Sequence, residues 1–382
     1  MAALLKKILL YYPPNKRSVA IETLCNAIKE AGHELMVLTL TERGPFHEAL
    51  EKKGIKTFTH ALNHKRLWKY FIFLKQARYL ARFCRQYKID MVWSHLQEGN
   101  IISVMARPFL KAKIVSFRHH AESAFYAEFG KQLGMKRNKG EALLDKIINR
   151  FAGTIVVPSS GVWYGMEKYE KCKMSKVRLI PYIYDFTTYP QPNTEKVNAL
   201  RNQYSCNLLL IMVSRLIPSK QHMPVFETVK KLLDEGLSIK MIVMDDGPLR
   251  SALESFIKKN NLSDHIFMIG FKEDFVNYMA AADLLIHPSV TEASNNVVKE
   301  MGLLKKTVAV CEHVGDFDDY IKEGINGFIM KWGDLKFTIE KINKDAYCSH
   351  EKLKKMGNRL NDDVMEKFSD TEKNRKNYLD LI

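Results

Sequence analysis

The chain has 382 residues, of which 46% are hydrophobic, and this is enough to build two domains with separate cores. Its formal net charge is +16 and lies wholly in the first half, where residues 1–190 carry +17 and the remainder −1. Six scattered cysteines exclude a paired-cysteine metal or redox centre, and the absence of a helix-turn-helix, zinc spacing or RNA-module signature argues against a nucleic-acid binder.

Short apolar runs rich in β-branched residues alternate with stretches of helical period along the whole chain. The predicted strands are KILLYY, ELMVLTL, DMVWS, KIVSF and TIVVPS in the first half, then LLLIMVS, IKMIVMD, IFMIG, ADLLIHPS and TVAVC in the second. Runs that are apolar on both faces are typical of parallel sheets covered by helices on both sides. We therefore predict an α/β protein with two doubly wound, Rossmann-like domains.

Three segments define the predicted organisation. We interpret MAALLKKILLYYPP as the first core strand, because its apolar part is too short to span a bilayer and it lacks a small-residue cleavage site. We therefore expect a cytoplasmic protein. DFTTYPQPNTEK, with two prolines, is the predicted linker. The predicted domains are 1–185 and 186–365, with a C-terminal helix at 366–382 packing on the first, and the sheets should face a cleft that receives ligands.

The segment 61–88 holds eight Lys or Arg and no acidic residue, interleaved with Trp68, Phe71, Phe73 and Phe83. Such a helix fits a membrane interface, with aromatic side chains among the headgroups and cations toward anionic lipid. A helix that covers a sheet with its aromatic face in the core is the alternative, and both interpretations stay open.

Candidate ligand-binding residues follow the first strand of the second half, in LLLIMVSRLIPSKQ. Arg215 and Lys220 there suit a diphosphate, although solvated surface cations are an equal alternative. The two aspartates of VMDDGPLRSALE, further along the chain, are interpreted as turn formers rather than metal ligands.

The stretch HPSVTEASNNVVKEMG places one glutamate before a predicted helix and another inside it. The helix should begin around Ser294 to Asn296, and its N-terminus is a ready site for phosphate. Phosphate would repel Glu292 and Glu300, so we expect each carboxylate to bind vicinal hydroxyls, as a nucleotide sugar offers on either side of its diphosphate. A capping acid and a solvated glutamate are the alternative.

These motifs together resemble the donor site of the family-4 retaining glycosyltransferases of the GT-B fold. The resemblance rests on VSRLIPSKQ, VMDDGPLRSALE, IGFKEDFVNYMAAADLLIHPS and TEASNNVVKEMGLLKKTVAV followed by VGDFDDYIKEGINGFIM, in the expected order. It implies that Arg215 and Lys220 hold the diphosphate, that Glu300 binds the ribose and that Glu292 contacts the transferred sugar. The other implied donor-binding residues are Phe271, Lys272, Ser294, Asn295, Asn296 and Val297. The three residues after Glu292, ASN at 293–295, depart from the family pattern.

The first half resembles the same family less closely. MVWSHLQEGN and KIVSFRHH match its strand ending in histidine and its sugar-facing histidine, so His119 is the implied catalytic partner of Glu292, with His120 a rival. VRLIPYIYDF carries Tyr182 and Ile183 where the family usually has Asn-Gly. Lys16 and Arg17, in place of the family's usual glycine pair, are expected on the acceptor side, together with His120.

The resemblance implies a hexosyltransferase that retains anomeric configuration and needs no metal or other cofactor, although Asp316 and Asp318 form an Asp-x-Asp triplet. We predict transfer from a nucleotide sugar, with UDP favoured, to a glycan or lipid-linked glycan of a surface polysaccharide. The basic half predicts peripheral attachment to the inner face of the plasma membrane, without a nucleic-acid partner. The alternatives are a GDP-sugar transferase, a nucleotide-sugar epimerase of the same fold, or a basic polyanion-binding module.

Overall fold

The computed structural model describes residues 5–61 and 69–382. They form two compact units. The first comprises the described residues up to Thr187 together with Phe368–Ile382, and the second is Thr188–Lys367. The segment 366–382 is not one helix, because one helix ends at Phe368 and the next begins at Glu372.

The first unit is built on a parallel sheet. Its described strands are β1 Lys7–Tyr11, β2 Glu34–Thr39, β3 Lys56–Thr59, β4 Met91–His95, β5 Lys113–Phe117, β6 Thr154–Val157 and β7 Val177–Leu179. They lie in the order β3-β2-β1-β4-β5-β6-β7, so the chain changes direction of winding between β1 and β4. In such sheets the loops at the carboxyl ends of the two strands beside this switch point form the usual ligand site.

The second unit repeats this architecture. Its described strands are β8 Leu208–Val213, β9 Ile239–Met244, β10 Ile266–Gly270, β11 Leu284–His287, β12 Thr307–Cys311 and β13 Phe328–Met330. All pair in parallel in the order β10-β9-β8-β11-β12-β13, which places the switch point between β8 and β11. The predicted doubly wound α/β class is therefore confirmed.

Helices connect the strands in both units. In the first unit they are α1 Val19–Glu30, α2 Pro45–Glu51, α3 Lys69–Tyr87, α4 Leu96–Ala106, α5 Glu122–Glu128, α6 Lys139–Phe151 and α7 Ser160–Lys168. Next come α8 Thr194–Gln203, α9 His222–Asp234, α10 Arg250–Lys259, α11 Phe275–Ala281, α12 Asn296–Leu303, α13 Leu335–Cys348 and α14 His350–Phe368, and the chain ends with α15 Glu372–Leu379. The linker prediction overlaps the start of α8, whose N-cap Asn193 accepts a hydrogen bond from the amide of Lys196.

The core of the first unit includes the C-terminal helix α15. Tyr378 is 2% exposed, and its ring lies 6.5 Å from Trp93 and 6.3 Å from Phe117, on strands β4 and β5. Its hydroxyl donates a 2.9 Å hydrogen bond to the carbonyl of Pro181. The last residues of the chain therefore help to close the hydrophobic core that its first strand begins.

The basic helix α3 packs its described aromatic side chains inward. Phe73 and Phe83 are 2% and 4% exposed, and Phe83 lies edge-on to Phe58 of β3. The membrane-interface interpretation is wrong for these two residues, while the side chains of Trp68 and Phe71 lie outside the described part of the structure. Within residues 5–61 and 69–382, no helix combines the length and apolar character needed to cross a bilayer.

Candidate functional site

The switch point of the second unit brings the loops after β8 and β11 together. The amide of Val290, in the loop after β11, donates a 3.0 Å hydrogen bond to the carbonyl of Ser219, in the loop after β8. Parallel pairing of β8 with β11 places both loops at the carboxyl edge of the sheet. Residues about seventy positions apart in the chain thereby become neighbours.

Lys220, Glu292 and His287 form a buried ionic cluster there. The Lys220 ammonium is paired with Glu292 Oε1 and also donates to Ser289 Oγ at 3.1 Å. His287, the last residue of β11, lies 2.8 Å from the same carboxylate oxygen through its Nε2. The side chains of Lys220 and Glu292 are only 12% and 13% exposed.

The cluster keeps Glu292 ionised. Burial alone would raise the pKa of its carboxyl, but the hydrogen bond from His287 and the charges of His287 and Lys220 outweigh burial, so the pKa lies well below its usual range. The ammonium expected to bind phosphate is thus already paired with the carboxylate expected to bind the sugar. Any anion that binds the Lys220 ammonium has to compete with Glu292 for it.

The helix α12 begins where the sequence predicted. Asn295 is its N-cap and accepts a 3.0 Å hydrogen bond from the amide of Val298 through Oδ1, while its Nδ2 lies 3.2 Å from His287 Nε2. In the described structure, the amides of Asn295 and Val297 make no hydrogen bond to the protein. They remain oriented for an anion at the positive end of the helix.

Ser294 faces the protein rather than open space. Its hydroxyl donates to Asp316 Oδ2 at 2.6 Å and accepts from the Lys299 ammonium at 2.9 Å. The hydroxyl of Ser294 is therefore engaged within the unit, and its contact with a donor stays a prediction. The side chain of Asn295 is also engaged within the unit, by Val298 and His287. The side chains of Ser294 and Asn295, where the sequence departs from the family pattern, therefore hold this loop in place.

Lys299 and Asp316 form a fully buried ion pair behind this loop. Their side chains are 1% and 0% exposed, and the ammonium lies 2.7 Å from Asp316 Oδ2 and 3.0 Å from the carbonyl of Asn295. Such a pair is retained only with good geometry, because breaking it leaves an uncompensated buried charge. Gly315, next to it, has φ +58°, and a Cβ there would lie 2.9 Å from the Cβ of Glu292, so only glycine fits this close approach.

Glu300 lies one turn inside α12 and differs from Glu292. Its carboxylate makes no hydrogen bond to any other described residue, and burial raises its pKa to about 7, although Lys299 opposes the shift. Tyr189, which lies in the predicted linker, is its neighbour, and burial together with the charge of Glu300 raises the pKa of that phenol. A half-buried carboxylate without a hydrogen bond to another described residue suits a ligand that supplies hydroxyl donors.

The remaining donor-side residues lie at the same edge of the sheet. Arg215 is exposed and its guanidinium makes no hydrogen bond or ion pair with another described residue. Phe271, which follows β10, is 75% exposed, and Lys272 is half-buried. Asp246 accepts hydrogen bonds from the amide of Gly247 and from Arg250, which confirms the turn-former interpretation of VMDDGP.

In the first unit, His119 follows β5 and belongs to a chain of rings. Its Nδ1 is hydrogen-bonded to the Tyr182 hydroxyl and its Nε2 lies 3.1 Å from His95 Nδ1. Burial, with help from His120 and Arg118, lowers the pKa of His119 to about 3, so the imidazole is neutral. His95 and Tyr182 were not among the predicted site residues, although the histidine ending β4 and the tyrosine in place of Asn-Gly were both visible signals.

A pocket of about 210 Å³ opens beside His119. It is lined by Leu96, Gln97, Arg118, His119, His120, Glu122, Glu141 and Asp145. Arg118, 4% exposed, is neutralised by Asp145 at 3.3 Å and Glu170 at 3.2 Å. The lining has three carboxyl side chains, Glu122, Glu141 and Asp145, against one guanidinium. Burial and the neighbouring Glu141 raise the pKa of Glu122.

The acceptor-side residues differ in their contacts. Arg17 is exposed and is paired with Glu22 on α1, with 2.9 Å and 2.6 Å to the two carboxylate oxygens, and its acceptor contact stays a prediction. Lys16 is exposed in the loop after β1. His120 is also exposed, whereas His119 points inward to its ring partners.

The Asp-x-Asp triplet does not form one site. Asp316 pairs with Lys299, whereas Asp318 accepts from the amide and ring of His313. Across the described ranges, no group of three or more His, Cys, Asp or Glu side chains is arranged to hold a metal ion.

Two family models match the chain. The model described as Glycosyltransferase Family 4 matches residues 18–186, and the model described as Glycosyl transferases group 1 matches residues 198–361. The two matches correspond closely to the two units and together span most of the chain.

Individual glycosyltransferases are also similar to this chain. An uncharacterized glycosyltransferase of Methanocaldococcus jannaschii, MJ1059, is 21% identical over 350 residues, covering 86% of this chain and 83% of that protein. N-acetylgalactosamine-N,N'-diacetylbacillosaminyl-diphospho-undecaprenol 4-alpha-N-acetylgalactosaminyltransferase of Campylobacter jejuni is 23% identical over 241 residues, 61% of this chain and 60% of its own. The crystal structure of Anabaena Alr3699/HepE with UDP-glucose superposes with a TM-score of 0.77 at 19% identity, covering 98% and 99% of the two chains.

Proposed function

This chain belongs to the family-4, group 1 glycosyltransferases of the GT-B fold, and from that premise we propose that it transfers a hexosyl group from a UDP-sugar to a lipid-linked glycan during surface polysaccharide synthesis. The observation that carries the proposal is the arrangement around α12. Two glutamates flank the start of a helix at which the amides of Asn295 and Val297 make no hydrogen bond to another described residue, and Lys220 is paired with Glu292. This arrangement fits a diphosphate with a hydroxyl-bearing group on each side.

Each donor group has a proposed partner in the second unit. Arg215, Lys220 and the first amides of α12 bind the diphosphate, and Glu300 accepts hydrogen bonds from the two ribose hydroxyls. Glu292, released from Lys220, accepts from hydroxyls of the transferred sugar, and His287 keeps its carboxylate oriented. Uridine is the proposed base because the structural neighbour from Anabaena was solved with UDP-glucose.

The proposed reaction retains the anomeric configuration and requires no metal. The acceptor hydroxyl attacks the anomeric carbon from the face that the diphosphate leaves, the bond from that carbon to the phosphate oxygen breaks, and a β-phosphate oxygen takes the acceptor proton. Lys220, Arg215 and the α12 terminus stabilise the charge on the departing nucleotide. Contact of His119 with a sugar hydroxyl requires one of its ring nitrogens to leave Tyr182 or His95, and the neutral imidazole would bring no second positive charge to the sugar.

The pocket beside His119 is the proposed site for the sugar end of the acceptor. Glu122 and Glu141 would repel a phosphate or a uronic acid, but they accept hydrogen bonds from sugar hydroxyls. The anionic diphosphate of a lipid carrier then belongs outside the pocket, on the basic surface of the same unit. The Campylobacter relative, named for a diphospho-undecaprenol acceptor, supports a lipid-linked acceptor of this kind.

Two substitutions test the donor site. Glu292→Gln and Lys220→Met should each abolish transfer, while the fold is retained in circular dichroism and both proteins stay monodisperse. Lys258→Met, an exposed lysine on α10, is the matched control and should keep wild-type turnover. Wild-type turnover in either site variant would contradict the proposed roles.

A thermal-shift screen identifies the nucleotide. Ligand that binds only the folded state raises the melting temperature with the logarithm of its concentration over Kd. UDP and UDP-sugars should shift the transition most, and a larger shift with GDP would change the proposed base. Incubation with the donor alone separates transfer from epimerisation, because an epimerase alters the sugar without an acceptor.

A further inference from the structure

Three segments of the first unit, none of which contains an acidic residue, form one exposed, strongly basic surface, which we call the basic edge: residues 107–113, 146–153 and 171–179. They contain no aspartate or glutamate and nine cations. These cations are Arg107, Lys111, Lys113, Lys146, Arg150, Lys171, Lys173, Lys176 and Arg178. The donor chemistry proposed for the second unit does not involve them.

The three segments are contiguous in space. They lead into β5, β6 and β7, which pair side by side, so their amino ends lie along one edge of the sheet. Arg107 Nη1 donates to the carbonyl of Phe151 at 2.5 Å, and the Lys176 ammonium donates to the carbonyl of Ala152 at 3.0 Å. Burial lowers the pKa of Lys176, and the nearby charges of Arg150, Arg107 and Lys173 lower it further.

Large apolar side chains project among these cations. Phe109 is 57% exposed, Phe151 is 53% exposed and Leu179, on the edge strand β7, is 40% exposed. The acids that flank the segments in sequence, Asp145 and Glu170, are buried against Arg118 and do not offset the surface charge. Exposed aromatic rings surrounded by cations match the two layers of an anionic bilayer surface, since the rings reach the acyl boundary while the cations meet lipid phosphates.

We propose that the basic edge is the surface by which this protein binds an anionic phospholipid membrane. The inference rests on the membrane-bound acceptor of the proposed function and supplies the location that α3, with Phe73 and Phe83 in the core, does not. It also fixes an orientation for the first unit. His119 follows the carboxyl end of β5, and Lys113 begins it, so the five-residue strand separates the pocket edge from the lipid by roughly 16 Å.

This orientation has a consequence for the acceptor. The sugar end of a lipid-linked glycan must stand away from the bilayer to reach the pocket beside His119, so an acceptor already carrying one or more sugars fits better than a lipid phosphate alone. The protein would therefore act after an enzyme that places the first sugar phosphate on the lipid.

Vesicle sedimentation tests the surface. Wild-type protein should bind vesicles of phosphatidylcholine mixed with phosphatidylglycerol, and should not bind phosphatidylcholine alone. The triple variant Lys111→Gln, Arg150→Gln, Lys173→Gln should bind roughly 100-fold more weakly, since each cation near an anionic surface strengthens binding about fivefold. The matched control, Lys258→Gln, Lys259→Gln, Lys354→Gln, removes the same charge from exposed sites on the second unit and should bind as wild type does.

A second pair of variants tests the aromatic side chains without changing charge. Phe109→Ser with Phe151→Ser should weaken binding at least about tenfold, because each ring loses its burial in the headgroup region. The control is Phe337→Ser with Ile325→Ser, which are 67% and 56% exposed on the second unit and should have no effect.

The outcomes distinguish failure of the proposed membrane surface from failure of the proposed transferase function. Equal losses in the two lysine or arginine triples, equal binding to neutral vesicles, or no binding by wild type would each overturn the proposal. The UDP-induced thermal shift should be the same in all these variants and in wild type. If wild type shows no such shift while vesicle binding follows the basic edge, the donor assignment fails and the membrane surface stands.

Discussion

Glu300 offers the sharpest test, because its two predicted effects have opposite signs. Replacing this carboxyl by the amide in Glu300→Gln keeps the size of the side chain but removes its charge. We expect the variant to be more stable than wild type without ligand at alkaline pH, and to bind nucleotide more weakly. A residue kept only for stability would not show this combination.

The magnitude follows from the pKa. Burial raises the pKa of Glu300 from its usual 4.5 to about 7. Between these two values the folded state binds more protons than the unfolded state, so the free energy of unfolding falls as pH rises. The shift corresponds to roughly 3 kcal/mol at full ionisation, since one pKa unit is about 1.4 kcal/mol. Partial exposure of Glu300 makes this an upper bound.

The assay is urea unfolding of wild type and variant at pH 4.5, 6 and 8.5, followed by the UDP-induced thermal shift at pH 8.5. The difference in unfolding free energy should be near zero at the lowest pH and approach its full value, up to roughly 3 kcal/mol in favour of the variant, at the highest. Loss of charged acceptors for the ribose hydroxyls should weaken UDP binding by about tenfold or more.

Glu273→Gln is the matched control, because Glu273 is an exposed glutamate of the same unit. It should change neither the pH dependence nor nucleotide binding. A stability difference for Glu300→Gln that is the same at all three pH values, or a variant less stable than wild type at pH 8.5, would refute the reasoning. Unchanged UDP binding would refute the ribose assignment alone.

Three further predictions concern the packing that supports the site and the core. Lys299→Met should destabilise the protein by roughly 3–5 kcal/mol in urea unfolding, because it leaves Asp316 buried and unpaired. Adding Asp316→Asn should recover most of that loss. If the destabilisations of the two single variants instead add up in the double variant, the pairing is contradicted. Gly315→Ala should cost at least about 1–2 kcal/mol for its left-handed backbone and should also lower transfer by displacing Glu292, so a stable and fully active variant would count against the close approach. Tyr378→Phe should lose about 1 kcal/mol with its hydrogen bond, against roughly 3–5 kcal/mol for Tyr378→Ala, and similar values for the two would show that the ring does not pack in the core.

The strands missed from the sequence share a position. All ten predicted strands are present, but β3, β7 and β13 were not predicted, and each lies at an edge of its sheet. β3 and β7 are short and partly exposed, so they lack the continuous apolar run that identifies a strand covered on both faces, and β13 is only three residues long. Thr57 and Phe58 of β3 are only half-buried, and Arg178 and Leu179 of β7 are exposed.

Local chemistry was sufficient for the sequence to determine the fold class, the start of α12 and the family. Strand alternation, an asparagine that caps a helix and motifs of fixed spacing depend on near neighbours in the chain. The sequence did not determine which side chains would bond to each other. That Lys220 pairs with Glu292, that Ser294 is held by Asp316, and that Arg17 is engaged by Glu22 follow from which loops the sheet order brings together and which way each side chain turns.

The basic half shows the same division most clearly. Its charge was evident from composition, but only the tertiary structure decides which cations and rings face outward. Phe73 and Phe83 point into the core because α3 covers the sheet, whereas Phe109 and Phe151 end helical segments at the amino edge, where no strand or helix of the unit covers them within the described residues. Burial is set by packing across distant segments, and a sequence window of a few turns contains no record of it.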